Sequence, residues 1–148
     1  MLTKKGKYGL KAMVFLASLK PGESIQVADI AEANNIPKKF LDAILSELRN
    51  ARYLNSRKGK GGGYMLARPA EEIIVGDVIR VLDGPLAPIQ CASRTAYRRC
   101  DDCHEAGCEV RLIMLDVREA IAKVLDNRTL ADMRELTDDR MASFVYHI

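Results

Sequence analysis

Residues 36–64 constrain the fold more than any other stretch of the chain, because a helical pattern there leads directly into a basic, glycine-rich segment. Apolar residues recur with the spacing of one buried helix face, at Leu41, Ile44, Leu45 and Leu48. Residues 56–64 (SRKGKGGGY) follow and are flanked by short apolar runs. Glycine adopts positive φ without steric cost, so this segment predicts a hairpin with a flexible, cationic tip. A helix with a polar outer face followed by such a hairpin is the outline of a winged helix.

The residues before this helix predict the rest of a helix-turn-helix. Residues 8–19 are almost continuously apolar and indicate a buried helix that a Pro-Gly pair ends. Residues 26–33 indicate a second, short helix, and Asn34 and Asn35 suit a turn because Asn tolerates left-handed φ. Pro37 fits the first turn of the third helix, where its missing N–H costs no hydrogen bond. Such a helix pair can be ordinary packing, but the adjoining basic hairpin favours DNA binding.

The positive charge is concentrated in the same part of the chain. The formal net charge is +3, yet residues 1–82 carry 14 basic against eight acidic side chains, whereas residues 83–148 carry nine against twelve. A basic segment can be merely a solvated face, but its coincidence with the hairpin favours contact with phosphate. No apolar run reaches the ~18 residues of a membrane span, and the first residues lack a signal-peptide pattern. We therefore expect a cytoplasmic protein without membrane contact.

The C-terminal half predicts a long helix that needs a partner. Residues 73–81 indicate a short strand and then a helix, which the breaker DGPLAP at residues 83–88 ends. The helical period then returns, with apolar residues at the two seam positions of a heptad, at Val110, Ile113, Val117, Ala120 and Val124. A lone helix of this length is marginal in water, so it packs on the same helix of a second subunit or on its own winged domain. Thr129 and Asp132 can cap another short helix after it.

The predicted fold is mainly α with a small β wing. It consists of a winged helix-turn-helix domain at residues 1–82, a linker with a cysteine loop at residues 83–108, and a dimerisation helix with a C-terminal segment at residues 109–148.

All four cysteines lie within eighteen residues, at Cys91, Cys100, Cys103 and Cys108. The loop between them is rich in Arg and Asp, so it is too polar for these thiols to be core residues. Gathered thiolates suit zinc or an iron–sulfur cluster, although tetrahedral zinc usually takes two C-x2-C pairs and this loop has one. The spacing also fits a thiol switch, in which Arg favours the thiolate and a second Cys resolves the sulfenic acid. Spacing alone leaves a metal site, a thiol switch or neither open.

Motifs of catalysis and nucleotide binding are absent from the sequence. Residues 59–63 lack the G-K-[ST] of a P-loop, and Tyr64 stands where G-x-G-x-x-G needs its last glycine. The pair Cys100 and Cys103 precedes His104, which reverses the order found in zinc deaminases. We therefore expect neither an enzyme nor a small-molecule substrate.

The sequence resembles the Rrf-two (Rrf2) family of bacterial winged-helix regulators over nearly its whole length, in residues 2–13 (LTKKGKYGLKAM), 27–69 with the GGGY hairpin, and 73–84 (IIVGDVIRVLDG). The resemblance implies a homodimer, held by the long C-terminal helix, that binds a pseudo-palindromic double-stranded DNA operator. The groove-facing positions that it implies are Lys38, Lys39, Phe40, Asp42 and Ala43. The implied phosphate and minor-groove contacts are Thr3, Lys4, Lys5, Tyr8, Arg49, Lys58, Gly59 and Lys60.

The resemblance also implies a role for the cysteine loop. Family members that sense iron or nitric oxide ligate a cluster through three cysteines just before the long helix. Cys91 and Cys108 match the outer ligands best, and Cys100 or Cys103 matches the middle one, unless both bind and complete an all-cysteine set. Arg111 stands where one family member has a histidine ligand, and other members bind no cluster.

We therefore expect a DNA-binding transcriptional repressor that senses iron, redox state or nitric oxide through an iron–sulfur cluster, 2Fe-2S or 4Fe-4S, on Cys91, Cys100, Cys103 and Cys108. Gain or loss of the cluster would order or free the loop and change the spacing of the two recognition helices. One alternative is a cofactor-free repressor controlled by thiol redox or by a partner protein. Another is a zinc-bound structural domain with incidental basic charge.

Overall fold

A computed structural model describes residues 2–146, so the last two residues of the predicted C-terminal segment lie outside the described part. The described residues form six α-helices: α1 (Lys4–Ala17), α2 (Val27–Asn34), α3 (Lys38–Asn50), α4 (Val75–Asp83), α5 (Glu109–Leu125) and α6 (Leu130–Tyr146). Strands β1 (Leu54–Arg57) and β2 (Gly63–Leu66) pair antiparallel, and single 3-10 turns lie at Ala70–Glu72, Gln90–Ala92 and Glu105–Gly107. The predicted winged helix-turn-helix and the long helix after the cysteine loop are confirmed. None of the described helices is long and apolar enough to cross a membrane.

α3 sits at the centre of the core with its predicted face inward. Its four predicted inward residues are fully buried, and they pack in one cluster with apolar side chains of α1, α2 and α4. The turn before α3 uses Asn35 in the left-handed region at φ 53°, as the sequence predicts, and Ile36 closes the turn against the core at 4% exposure. Burial of one face leaves the start of the opposite face exposed, at Lys38, Lys39 and Ala43.

The wing is tied to the residues that precede α2. Ile25 exchanges two backbone hydrogen bonds with Tyr64, at 3.1 and 2.8 Å. Gly63 allows this approach, because a Cβ at that position would lie 2.0 Å from the carbonyl oxygen of Ile25. The side chains of Ser24 and Gln26 donate hydrogen bonds to the carbonyls of residues 61 and 62. The base of the hairpin is therefore fixed, and only its tip projects.

The C-terminal segment begins with the predicted cap but is longer than predicted. The Asp132 carboxylate accepts a hydrogen bond from the Thr129 N–H at 2.9 Å, and the Thr129 hydroxyl accepts one from the Asp132 N–H at 3.2 Å. α6 then continues to Tyr146, a helix of 17 residues. The expectation of a short helix was wrong, because a cap marks where a helix starts and carries no information on its length.

α6 returns to the winged domain. Leu130, at 0% exposure, joins the core, and its N–H donates to the carbonyl of Ile73 at 3.0 Å. The Arg134 guanidinium donates to the carbonyl of Ala17, at the end of α1, at 2.7 Å. The strand predicted near residue 73 is a single bridge between Ile74 and Thr129. The core of the winged domain is therefore completed by residues from the far end of the chain.

Leu130→Ala should lower the free energy of unfolding by about 2–5 kcal/mol, because truncation of a fully buried Leu leaves a cavity. The matched change Leu136→Ala removes a side chain that is 49% exposed on the same helix, and should cost less than about 1 kcal/mol. Urea unfolding followed by circular dichroism measures both losses. Equal losses would contradict the burial of Leu130.

Candidate nucleic-acid interface and cysteine loop

The first two turns of α3 present the predicted groove-facing residues. Lys38, Lys39, Phe40 and Ala43 are exposed, and Asp42 is half-buried. Lys38 and Asp42 form an ion pair one turn apart at 3.2 Å. The exposed surface of α3 therefore offers a cationic amine, a carboxylate and an aromatic edge on one short ridge.

The start of α1 flanks this ridge. The ring of Tyr8 meets the ring of Phe40 edge to face, with 5.6 Å between the centroids. Lys5 pairs with Glu47 of α3 at 2.6 Å, and Lys4 is exposed beside it. The two helices therefore form one surface rather than two separate patches.

Thr3 fixes the beginning of α1. Its hydroxyl accepts a hydrogen bond from the Gly6 N–H at 3.2 Å and donates to the carboxylate of Asp83. The Thr3 N–H also donates to Asp83, at 2.9 Å. Gly6 is needed here, because a Cβ would lie 2.2 Å from a carboxylate oxygen of Asp83. Asp83 ends α4, so the end of the winged domain holds the start of α1 in place.

The wing adds a cationic edge at the end of the surface. Lys58, Gly59 and Lys60 are exposed at the tip, and Arg49 is exposed in the last turn of α3. Sequence reasoning passed over Arg57, which is exposed at the end of β1. Arg57 belongs to the basic segment at residues 56–60, and this pattern could have identified it as a candidate phosphate contact.

Two of the four thiols lie together near the middle of the cysteine loop, beside a carboxylate. The sulfurs of Cys100 and Cys103 and a carboxylate oxygen of Asp102 all lie within 4.8 Å of one another. A hydrogen bond with Cys100, then burial and a hydrogen bond with Cys108, raise the pKa of Cys103 to about 12. A soft cation that bound these sulfurs would replace their protons. Asp102 was missed as a candidate ligand, although it lies between two cysteines in the sequence.

The other parts of the loop are fixed to α5. Cys108 caps α5, since its sulfur accepts a hydrogen bond from the Arg111 N–H at 3.4 Å. Cys91 is 8% exposed on the turn Gln90–Ala92, and its carbonyl accepts a hydrogen bond from Arg111 Nε at 2.9 Å. Within the described residues, neither Cys91 nor Cys108 belongs to the compact group around Cys103. Arg111 therefore connects both ends of the loop to the first turn of α5.

α5 has one anchored face and one free face. On the anchored face, Asp126 accepts two hydrogen bonds from Arg80 of α4, both at 2.8 Å, and this contact raises the pKa of Arg80 above its usual value. On the free face, most of the predicted seam is exposed to solvent: Val110 at 62%, Ile113 at 58%, Val117 at 36% and Val124 at 59%. Within the described part of the single chain, nothing covers this apolar stripe.

Comparison with known proteins identifies similar sequences that are transcriptional regulators. The sequence profile of the Rrf2 family, described as iron-dependent transcriptional regulators, matches residues 2–135. An rrf2-like regulator of Rhodobacter capsulatus is 40% identical over 137 residues, covering 90% of this chain and 91% of that one. CymR of Bacillus subtilis is 34% identical over 148 residues, covering 99% of both chains. These relatives are transcriptional regulators, not enzymes.

Solved structures agree with this fold. The structure of B. subtilis CymR, described as the global cysteine regulator, aligns with a TM-score of 0.76 at 33% identity, covering 92% of this chain and 97% of that one. IscR of T. potens aligns with a TM-score of 0.74 at 32% identity, covering 96% of this chain and 90% of that one.

Proposed function

Because this chain belongs to the Rrf2 family of transcriptional regulators, we propose that it is a dimeric repressor whose affinity for its operator is set by an iron–sulfur cluster in the cysteine loop. The observation that carries the sensing part is the neighbouring pair of thiols Cys100 and Cys103, which lies beside Asp102 and shortly before Cys108 at the start of α5. The DNA-binding part rests on the surface that α1 and α3 share and on the exposed basic tip of the wing.

The exposed ridge of α3 is the element that enters the major groove. An α-helix fits this groove, and its first residues reach base edges. Lys38, Lys39, Phe40, Asp42 and Ala43 occupy those positions. Thr3, Lys4, Lys5 and Tyr8 on one side, and Arg49, Lys58, Gly59 and Lys60 on the other, are placed to contact phosphates or the minor groove. Contacts to phosphate fix the register of the protein, and contacts to bases carry the specificity.

A second copy of the chain covers the free face of α5. The exposed stripe keeps the heptad spacing that suits packing against an identical helix. A helix of 17 residues is about 25 Å long at 1.5 Å per residue, which is long enough for a specific contact. A two-fold dimer binds two half-sites about one helical turn apart, so the operator is pseudo-palindromic.

The chemistry of the loop suits an iron–sulfur cluster. Cys100, Cys103 and Cys108 would hold it, with Cys91 or Asp102 available as a fourth ligand, and the cluster would supply a centre that responds to iron supply, oxidants or nitric oxide. Arg111 connects the loop to the first turn of α5. The conformation of residues 91–108 therefore controls how α5 packs against the winged domain. A change in this packing alters the distance between the two α3 helices of the dimer.

A second candidate is a cofactor-free thiol switch. The sulfurs of Cys100 and Cys103 lie within 4.8 Å of each other, and neighbouring thiols of this kind can form a disulfide after one of them is oxidised. The likeness to CymR, a regulator named for cysteine, favours this alternative. The two candidates use the same DNA-binding surface. They differ only in whether the thiols bind a cluster or react with one another.

Lys60→Ala should weaken binding to every DNA sequence by a similar factor, because a wing lysine contacts phosphate and not bases. The slope of log K against log salt should become shallower by about one. Fluorescence anisotropy with a labelled duplex, measured from low to physiological salt, gives both quantities. Lys123→Ala, at an exposed lysine of α5, is the matched control and should change neither.

Ile113→Glu should convert the dimer to a monomer, because it places a charge in the apolar seam. Light scattering after size exclusion measures the mass of each form. Lys123→Glu introduces the same side chain on α5 outside the seam and should leave the dimer intact. A wild-type chain that is monomeric at micromolar concentration would contradict the proposed interface.

Protein purified without oxygen should show visible absorption bands, with iron and sulfide in matching amounts. Cys103→Ala should abolish the bands and leave the circular dichroism unchanged, because the loop contributes little to the core. Thr95→Ala, an exposed residue of the same segment, should keep them. Zinc without iron would indicate a structural metal site. Colourless, metal-free protein that still binds DNA tightly would favour the thiol switch.

A further inference from the structure

A cavity of about 370 Å³ lies where α4 meets α5, beneath the segment that leads into the cysteine loop. Its volume falls within the range of small-ligand pockets, roughly 300–1,000 Å³. The charged side chains that line it come from α4, the covering segment and α5: Asp77 and Arg80, then Arg94, then Arg118, Glu119 and Asp126. The cavity is therefore built by the two helices that join the winged domain to the long helix.

One end of the cavity carries more positive than negative charge. Arg118 is 8% exposed, and its Nε has no hydrogen-bond partner among the described residues. Another nitrogen of Arg118 donates to Glu119, and Arg94 donates to the same carboxylate oxygen. Two guanidinium groups thus share one carboxylate. Burial of a cation without full pairing is costly, so this end favours an additional anion.

The other end has the opposite imbalance. Arg80 donates to Asp126 at 2.8 Å and to Asp77 at 3.0 Å, so two carboxylates surround one guanidinium. A ligand with only a negative charge would leave the surplus of negative charge at this end without a partner. A ligand that carries both charges compensates both ends.

The proposed dimer contact does not supply the missing partner of Arg118. Successive residues of a helix are about 100° apart around its axis. Arg118 follows Val117 of the exposed seam and is itself buried on the side of α5 that faces the cavity. A second copy seated on the seam therefore meets a different side of the helix.

We propose that this cavity binds a small zwitterion of the α-amino-acid class. Its carboxylate lies at Arg94 and Arg118, and its ammonium group lies at Asp77 and Asp126. The ligand contacts both α4 and α5, so it favours one arrangement of the winged domain against the long helix. None of the four thiols lines this site, and its occupation is a second input to DNA affinity.

The test is the thermal unfolding of the reduced, metal-free full chain with each common L-amino acid at about 5 mM, a concentration that stabilises the fold by mass action when it exceeds Kd. At least one amino acid should raise Tm by several degrees. Sodium acetate and methylammonium chloride, which each carry one of the two charges, should not. No shift with any amino acid, or an equal shift with acetate alone, would overturn the proposal.

Two variants locate the site. Arg118→Gln should abolish the shift in Tm, and Arg94→Gln should reduce it. The side chain of Arg94 is 71% exposed, so its replacement leaves the fold intact even if the change at Arg118 does not. Arg98→Gln replaces an exposed arginine that does not line the cavity, and should retain the full shift. An undiminished shift in Arg94→Gln, or in a folded Arg118→Gln protein, would also reject the site.

Discussion

Burial of the apolar stripe on α3 is the constraint on which the rest of the structure depends. Leu41, Ile44, Leu45 and Leu48 are all at 0% exposure, and helices α1, α2 and α4 are arranged to cover them. The period of a helix then fixes what lies outside. The polar residues between the buried positions of α3 have to face solvent. The hairpin that follows has to start near the C-terminal end of α3. The surface proposed to bind DNA is thus a geometric result of the core.

Polar contacts join the cysteine loop to α5, and α5 to α4. Arg111 holds the carbonyl of Cys91 and follows the cap at Cys108, while Arg80 and Asp126 join α4 to α5. Hydrogen bonds and ion pairs at half-exposed sites contribute little net stability and can be exchanged at small cost. These polar contacts can therefore be rearranged at less cost than a buried apolar contact.

The features that the sequence predicts well are those encoded over short distances. The period of α3, the glycines of the wing and the heptad stripe of α5 are local patterns, and the winged fold and the family resemblance drawn from them are confirmed. The return of α6 was not predicted, since the contact between Arg134 and Ala17 spans 117 positions and leaves no periodic signal. The cavity at Arg118 is also formed by residues that are far apart in the sequence, so no periodic pattern predicts it. The closeness of Cys103 to its neighbouring thiols depends on the path of an irregular loop, which spacing does not determine.

The position of Leu130 in the core has a consequence for how the protein is made. A ribosome completes the wing and α4 well before it adds α6, and the tunnel hides the most recent residues for some time afterwards. Until Leu130 emerges, the nascent winged domain has a hole where that side chain belongs. Domains otherwise tend to fold from the N-terminus during synthesis. This one completes its core only after residue 130 has left the ribosome, so a product that stops before that residue lacks part of the core.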